Sequence, residues 1–250
     1  MENISGIEFL RQSKYDRLTP SPQSQGVPIP ELEYPVPEGA VLIHLPEVKS
    51  LKISRMDLRE AIEARESLRD YAEKSLVLEE FAYLLWCTQG VKQVTDKPVT
   101  KRTVPSAGSR HTFETWLLVN RVDGLQPGLY RYMALAHQLA KITAPENINE
   151  LLTMACKHQK HVHESAVTFF WVAVAERMTW RYVQRGYRYM FLDAGHVCQN
   201  LYLAAEQIAC GVCAIGAYDD DLVNQALQLD GENLFTIYIA TVGKKKQFKV

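Results

Sequence analysis

The sequence predicts an α+β fold, and three observations carry that prediction. Two long stretches place apolar residues at helical spacing: Leu78, Phe81 and Leu85 with Leu84 beside them, and the segment from about Tyr187 to Ala209 with Leu192, Val197, Leu201 and Leu203. Val167 to Val174 is a continuous β-branched and aromatic run of strand length, as expected of a strand covered on both faces. Thr115 to Val119 and Leu129 to Tyr132 flank the turn-rich Asp123-Gly124-Leu125-Gln126-Pro127-Gly128 and read as a hairpin. Long helices mixed with a few strands, some of them a hairpin, favour α+β.

Composition sets the frame. The chain has 250 residues, 47% of them hydrophobic and 23% charged, so it has enough apolar material for a sizeable core and is neither disordered nor fibrous. Its net charge is −1, which leaves no basic field for a nucleic acid or an anionic membrane surface. No apolar stretch approaches the roughly 20 residues of a membrane span, and Met1 to Ser5 lacks the basic and apolar regions of a secretory signal. A cytoplasmic protein is expected, with its five cysteines reduced.

In chain order, residues 1–53 are expected to form an extended arm. Prolines at 20, 22, 28, 30, 35, 37 and 46 oppose regular helix, and Leu42, Ile43 and Leu45 require the arm to lie along the domain's own surface or a second subunit. Residues 54–250 show no repeat or composition break and form one unit. Ser54 and Asp57 have the spacing of a helix start, with the helix running to about Arg65. The second helix ends near Gly90, the hairpin and the buried strand follow, and after the long helix Phe235 to Thr241 supplies a last strand.

Cys210 and Cys213 form a C-x-x-C without the second pair of a zinc site, and Gly211-Val212 between them reads as a helix end. His158, His161 and His163 lack a carboxylate or Cys at ligand spacing, so a solvated helix end is expected there and no metal.

Three local clusters carry candidate chemistry. Arg65-Glu66-Ser67-Leu68-Arg69 closes the first helix, and two guanidinium forks with a hydroxyl suit a phosphate, although a solvated helix terminus has the same signature. Val104-Pro105-Ser106-Ala107-Gly108-Ser109-Arg110 is a small-residue loop that lets backbone approach a flat ligand, or is a plain tight turn. Gly211-Val212-Cys213-Ala214-Ile215-Gly216-Ala217 is again small and apolar, able to line a planar ring or to serve as a helix cap and loop.

In this order the clusters resemble the FMN-dependent nitroreductase superfamily, and in detail its SagB-type branch, the azoline dehydrogenases of thiazole and oxazole peptide biosynthesis. The resemblance covers residues from about 40 to 243. It is carried further by Leu84 to Val91, Pro127 to Tyr132, Tyr187-Arg188-Tyr189, Asp193 to Leu201 and Ala214 to Asp220, with Pro105-Ser106-Ala107-Gly108 and the Asp193 block the specific ones.

The resemblance implies a central, mainly antiparallel sheet flanked by long helices, and a homodimer with FMN at the interface. Arg65, Ser67 and Arg69 match the positions that hold the phosphate and ribityl chain. Pro105, Ser106 and Ala107 match the loop, from the other subunit, beside the isoalloxazine. Ile215 and Gly216 match the segment whose backbone N–H approaches flavin N5. Lys244 or Lys245 would add a second phosphate charge. Where the branch has a hydrophobic, proline-containing run, this chain has Ser109 to Glu114, so Arg110 and His111 either face the ring or replace a structural contact.

Tyr187 and Arg185 are nominated as acid/base groups, against a packing tyrosine and a surface arginine; Asp193 and His196 are read as a buried hydrogen-bonded pair. Two activities compete: reduction of small nitro or quinone-type acceptors with NADPH or NADH, and azoline oxidation beside a cyclodehydratase partner. A flavin-binding scaffold without turnover is the rival from another class.

Overall fold

The computed structural model describes residues 5–36 and 38–246. The proline at 37 and the first four residues used above for the signal reading lie outside the described residues. Among the described residues, no helix is long and apolar enough to cross a membrane.

Among the described residues, nine strands and eight α-helices follow one another. The strands are β1 (Leu42–His44), β2 (Val91–Val94), β3 (Thr100–Arg102), β4 (Phe113–Val119), β5 (Gly128–Met133), β6 (Gln138–Ile142), β7 (Val167–Val174), β8 (Cys210–Ile215) and β9 (Leu234–Lys244). The helices are α1 (Gly6–Gln12), α2 (Leu58–Ala64), α3 (Leu78–Gln89), α4 (Ile148–Ala155), α5 (Lys160–Glu164), α6 (Ala175–Tyr182), α7 (Gly186–Gln207) and α8 (Asp220–Ala226). Seven strands form one sheet in the order β1-β6-β5-β4-β7-β9-β8, every pairing antiparallel. β2 and β3 form a separate hairpin. The α+β class is as the sequence predicts, and the antiparallel sheet is as the resemblance implies.

β7 is buried at all eight positions because it lies inside the sheet with helices over both faces. On one face α3 and α7 pack with Phe81, Leu85, Val197 and Leu201 against Phe169 and Trp171. On the other, α4, α5 and α8 pack with Leu152, Val162 and Val223 against Phe170, Val172 and Ile239.

Two sequence expectations need correction. Gly211 and Val212 are not a helix end: Cys210–Ile215 is β8, the edge strand, because α7 already stops at Gln207. The arm is not wholly extended: Gly6–Gln12 is a helix capped by the Ser5 hydroxyl, and the first proline comes only at 20. Beyond it the arm runs along the domain's own surface, Trp180 Nε1 donating to Val27 O at 2.8 Å and Arg177 Nε to Glu31 O at 2.7 Å, until β1 joins the sheet.

Candidate functional site

The Arg65 segment owes its path to a helix end and two glycines. Asp57, rather than Ser54, caps α2, its carboxylate accepting from the Arg59 and Glu60 N–H groups. Arg65 is the C-cap, already extended at φ −61° and ψ 123°. The chain then crosses the open edge of β8: Ser67 bridges Val212 in parallel, the Leu68 N–H donates to Val212 O and the Ala72 N–H to Lys244 O, both at 2.9 Å. Gly211 and Gly243 lie under this crossing. A Cβ on Gly211 would stand 2.4 Å from Leu68 Cδ2, and one on Gly243 2.5 Å from Tyr71 Cγ.

Tyr202 of α7 ties the crossing to β8. Its hydroxyl accepts from the Ala214 N–H at 2.9 Å and lies 3.0 Å from Ser67 Oγ, while the Arg65 guanidinium sits over its ring at 5.3 Å. Ile215 is buried in the α4/α8 core, whereas Gly216, next along the chain, is exposed and borders open space. Neither Arg65 nor Arg69 is paired with a carboxylate among the described residues. Arg69 lies beside the Cys213 thiol, which burial pushes up in pKa against that positive charge.

The two lysines are placed differently from expectation. Lys244 Nζ donates to Glu80 Oε1 at 2.5 Å and to Ile208 O at 2.7 Å, and Lys245 Nζ to Glu206 Oε2 at 2.5 Å. Carboxylates from α3 and α7 neutralise both, which removes the reason to count either as a free phosphate charge. Glu80 also accepts from the Val77 N–H, so Lys244 fastens β9 to the start of α3.

Pro105 is exposed, while Ser106 and Ala107 are half-buried against α7. The Ala107 N–H points at both oxygens of Asp193, 3.3 and 3.2 Å away. Asp193 therefore partners this loop and not the exposed His196, correcting the expected pair. His111 is buried, its N–H donating to Ser106 Oγ at 2.9 Å; burial, reinforced by Arg102, pushes its pKa down to about 3. Arg110 is buried under Trp180, 5.2 Å from the ring, with Nε on Gly108 O. The Arg110 side chain is thereby held within the loop and against Trp180, and His111 is tied to it through its backbone.

Arg185 is committed to the arm. Nη1 donates to Ser13 O at 2.8 Å, Nε to the Tyr189 hydroxyl at 2.7 Å, and the guanidinium covers the Tyr15 ring at 4.2 Å. Tyr187 stacks on Phe235, with ring centroids 6.4 Å apart and planes 18° apart. The Arg185 donors are thus taken up by the arm and Tyr189, whereas stacking on Phe235 places the Tyr187 ring without engaging its hydroxyl. His161, expected at a solvated helix end, is buried, and its Nε2 has no partner among the described residues.

Asp193 and Tyr202 stand nine residues apart on α7, about 13 Å along its axis. The Ala107 loop and the Arg65 crossing thus touch different levels of one helix.

The nitroreductase family profile matches residues 62–244, from within α2 to the last residue of β9. The chain belongs to the nitroreductase family. A Methanocaldococcus jannaschii protein named as a nitroreductase is 30% identical over 203 residues, 81% of this chain and 96% of that protein. The microcin B17-processing protein McbC of Escherichia coli is 22% identical over 152 residues, 59% of this chain and 56% of McbC. Among solved structures, a protein of Anabaena variabilis named as a nitroreductase is 29% identical with a TM-score of 0.69, over 84% of this chain and 42% of that one. The fold is shared with a chain of the E. coli microcin synthetase McbBCD complex, at 17% identity and a TM-score of 0.61, over 98% and 99% of the two chains. It is shared too with a Desulfovibrio desulfuricans protein crystallised with FMN, at 16% identity and a TM-score of 0.52, over 79% and 94%.

Sequence reasoning missed Tyr202 and the seating glycines. A tyrosine inside an apolar helix has no local signature, and the significance of Gly211 and Gly243 arises only when β8 and β9 pair.

Proposed function

We propose that this chain is an FMN-dependent oxidoreductase, with Arg65, Ser67 and Arg69 holding the flavin's ribityl-phosphate tail. The observation that carries the reading is a donor set without a carboxylate partner among the described residues: two guanidinium groups and a hydroxyl on an extended crossing, tied through Tyr202 to Ala214, two residues before exposed Gly216. Such a set fits a phosphate, whose oxygens take guanidinium forks and hydroxyl protons together. Bound FMN would supply the hydride-transferring centre at N5. The chain's part is to orient: Ile215-Gly216 offers backbone at an open edge, and Pro105-Ser106-Ala107 offers a loop braced by Asp193.

A homodimer accompanies this reading. α7 leaves Phe191 and Leu192 59% and 61% exposed, and α2, packed beside it, leaves Leu58 and Ile62 64% and 53% exposed. An apolar face of this kind calls for a partner, and a second copy would bring its Ala107 loop to this chain's Arg65 crossing.

Reduction of small nitro or quinone-type acceptors with NADPH or NADH is supported by the near full-length match to the M. jannaschii protein. Azoline oxidation in a modified peptide, beside a cyclodehydratase partner, is supported by the match to McbC.

The absorption spectrum of the purified protein, taken before and after anaerobic NADPH or NADH with heat-released cofactor identified, tests this. Flavin bands that bleach with a nicotinamide support the reductase; bands inert to both leave peptide oxidation and the scaffold, which oxidation of an azoline-bearing peptide then separates. A colourless protein that takes up no added FMN overturns the function. Arg65→Ala and Arg69→Ala should each weaken FMN binding by about 1.5 to 3 kcal/mol, read from flavin retention.

A further inference from the structure

We propose that Tyr202 is a positioning residue that turns the Ser67 hydroxyl outward as a hydrogen-bond donor to the bound ligand, an inference that rests on the flavin reading above. Tyr202 is 8% exposed and its hydroxyl has two neighbours, the Ala214 N–H at 2.9 Å and Ser67 Oγ at 3.0 Å. A phenol hydroxyl has one proton and two acceptor positions. An amide N–H can only donate, so Ala214 takes one acceptor position; of the two neighbours only Ser67 Oγ can receive the phenol proton, and Ser67, being exposed, can give its own proton to solvent or to a ligand. In this arrangement Ser67 Oγ accepts from Tyr202 and its own proton points away, toward whatever the crossing binds.

The result is a one-way relay from the Ala214 N–H through Tyr202 Oη to Ser67 Oγ and on to a ligand oxygen. Its order suits a phosphate or ribityl oxygen, which accepts, and opposes a ligand group that can only donate. Each bond in such a chain polarises the next, so the serine is a better donor with Tyr202 behind it than without. The relay also joins two parts of the site: Ala214 immediately precedes Ile215-Gly216, and the Arg65 guanidinium rests on the same Tyr202 ring at 5.3 Å. One side chain on α7 thereby sets the crossing that meets the flavin tail against the strand proposed to meet its ring.

Tyr202→Phe keeps the ring under Arg65 and removes the relay; Ser67→Ala removes its terminus; Ser67→Thr keeps a hydroxyl there. FMN dissociation constants by flavin fluorescence quenching, with melting temperatures of the flavin-free proteins, compare these variants and the Tyr202→Phe/Ser67→Ala double. The expected result is about fivefold weaker binding for each single variant, no further loss in the double, and near wild-type binding for Ser67→Thr. If Tyr202→Phe binds FMN as the wild type does, or if the two losses multiply, the relay is overturned while the flavin reading stands. A Tyr202→Phe protein that melts lower yet shows the non-additive loss still supports the relay, since fold damage alone would add to the Ser67 loss. A wild-type protein that takes up no FMN overturns the flavin reading and the relay with it.

Discussion

Gly211 of β8 and Gly243 of β9 are register partners, and together they form the floor on which Leu68 and Tyr71 rest. The missing side chains let the crossing close down on the sheet edge, which brings Ser67 to Tyr202. Gly211→Ala would place a methyl 2.4 Å from Leu68 Cδ2 and 2.7 Å from Leu68 Cβ, too close for the leucine tip alone to relieve. A loss of about 1 to 3 kcal/mol of stability is expected, with FMN affinity falling as the crossing lifts. Chemical denaturation and a flavin titration on the same sample check both.

Asp193 braces the Ala107 loop at a cost. Burial raises its pKa above the ordinary 3.8, partly offset by Ser106 and the Ala107 N–H. The native state therefore keeps this proton to higher pH than the unfolded chain does. Its contribution to stability is fullest below pH 3.8 and declines as pH rises through the native pKa. Asp193→Asn, which keeps an acceptor but cannot ionise, should remove that decline. Melting temperatures of both proteins across mildly acidic pH would show it.

His111 has the opposite sign. Its pKa falls from 6.5 to about 3 in the native protein, so between those values the unfolded chain binds the extra proton. The contribution is complete above pH 6.5 and is lost progressively as pH falls toward 3. His111→Gln should flatten the acid limb of the stability profile, measured by urea unfolding at pH 4 to 7.

Arg177 and Glu114 form an ion pair whose side chains are each 3% exposed, and Glu114 also accepts from the Tyr34 N–H of the arm. Removing one member strands a buried charge. Arg177→Ala should cost about 3 to 5 kcal/mol, while an Arg177→Met/Glu114→Leu double variant should recover much of it. Protease cleavage within residues 27–36, followed over time, should accelerate in the single variant because Arg177 also holds Glu31 O.

The exposed face of α7 offers a separate test. Phe191→Asp/Leu192→Asp should leave the monomer folded, since both positions are exposed, and should shift a dimer to a monomer in sedimentation. If the flavin site is shared between two chains, the same variant loses FMN.

The amino-acid sequence was sufficient for the α+β class, the buried β7, the limits of α3 and nearly those of α7, because those segments bury whole faces and carry the corresponding period. It also displayed Arg65, Ser67, Arg69 and the small-residue loop, since those residue types stand close together along the chain. It misplaced β8, where a glycine read locally as a helix end is a contact made with Leu68 from far away in sequence. Arg185 was nominated from its place before the long helix, and Lys244 and Lys245 from the resemblance, whereas the partners they take come from the arm, α3 and α7. Local periodicity determined which segments became helix or strand. Tertiary structure alone decided which charges were spent on carboxylates or the arm and which stayed open, because hydrogen-bond partners are chosen by proximity in the folded chain.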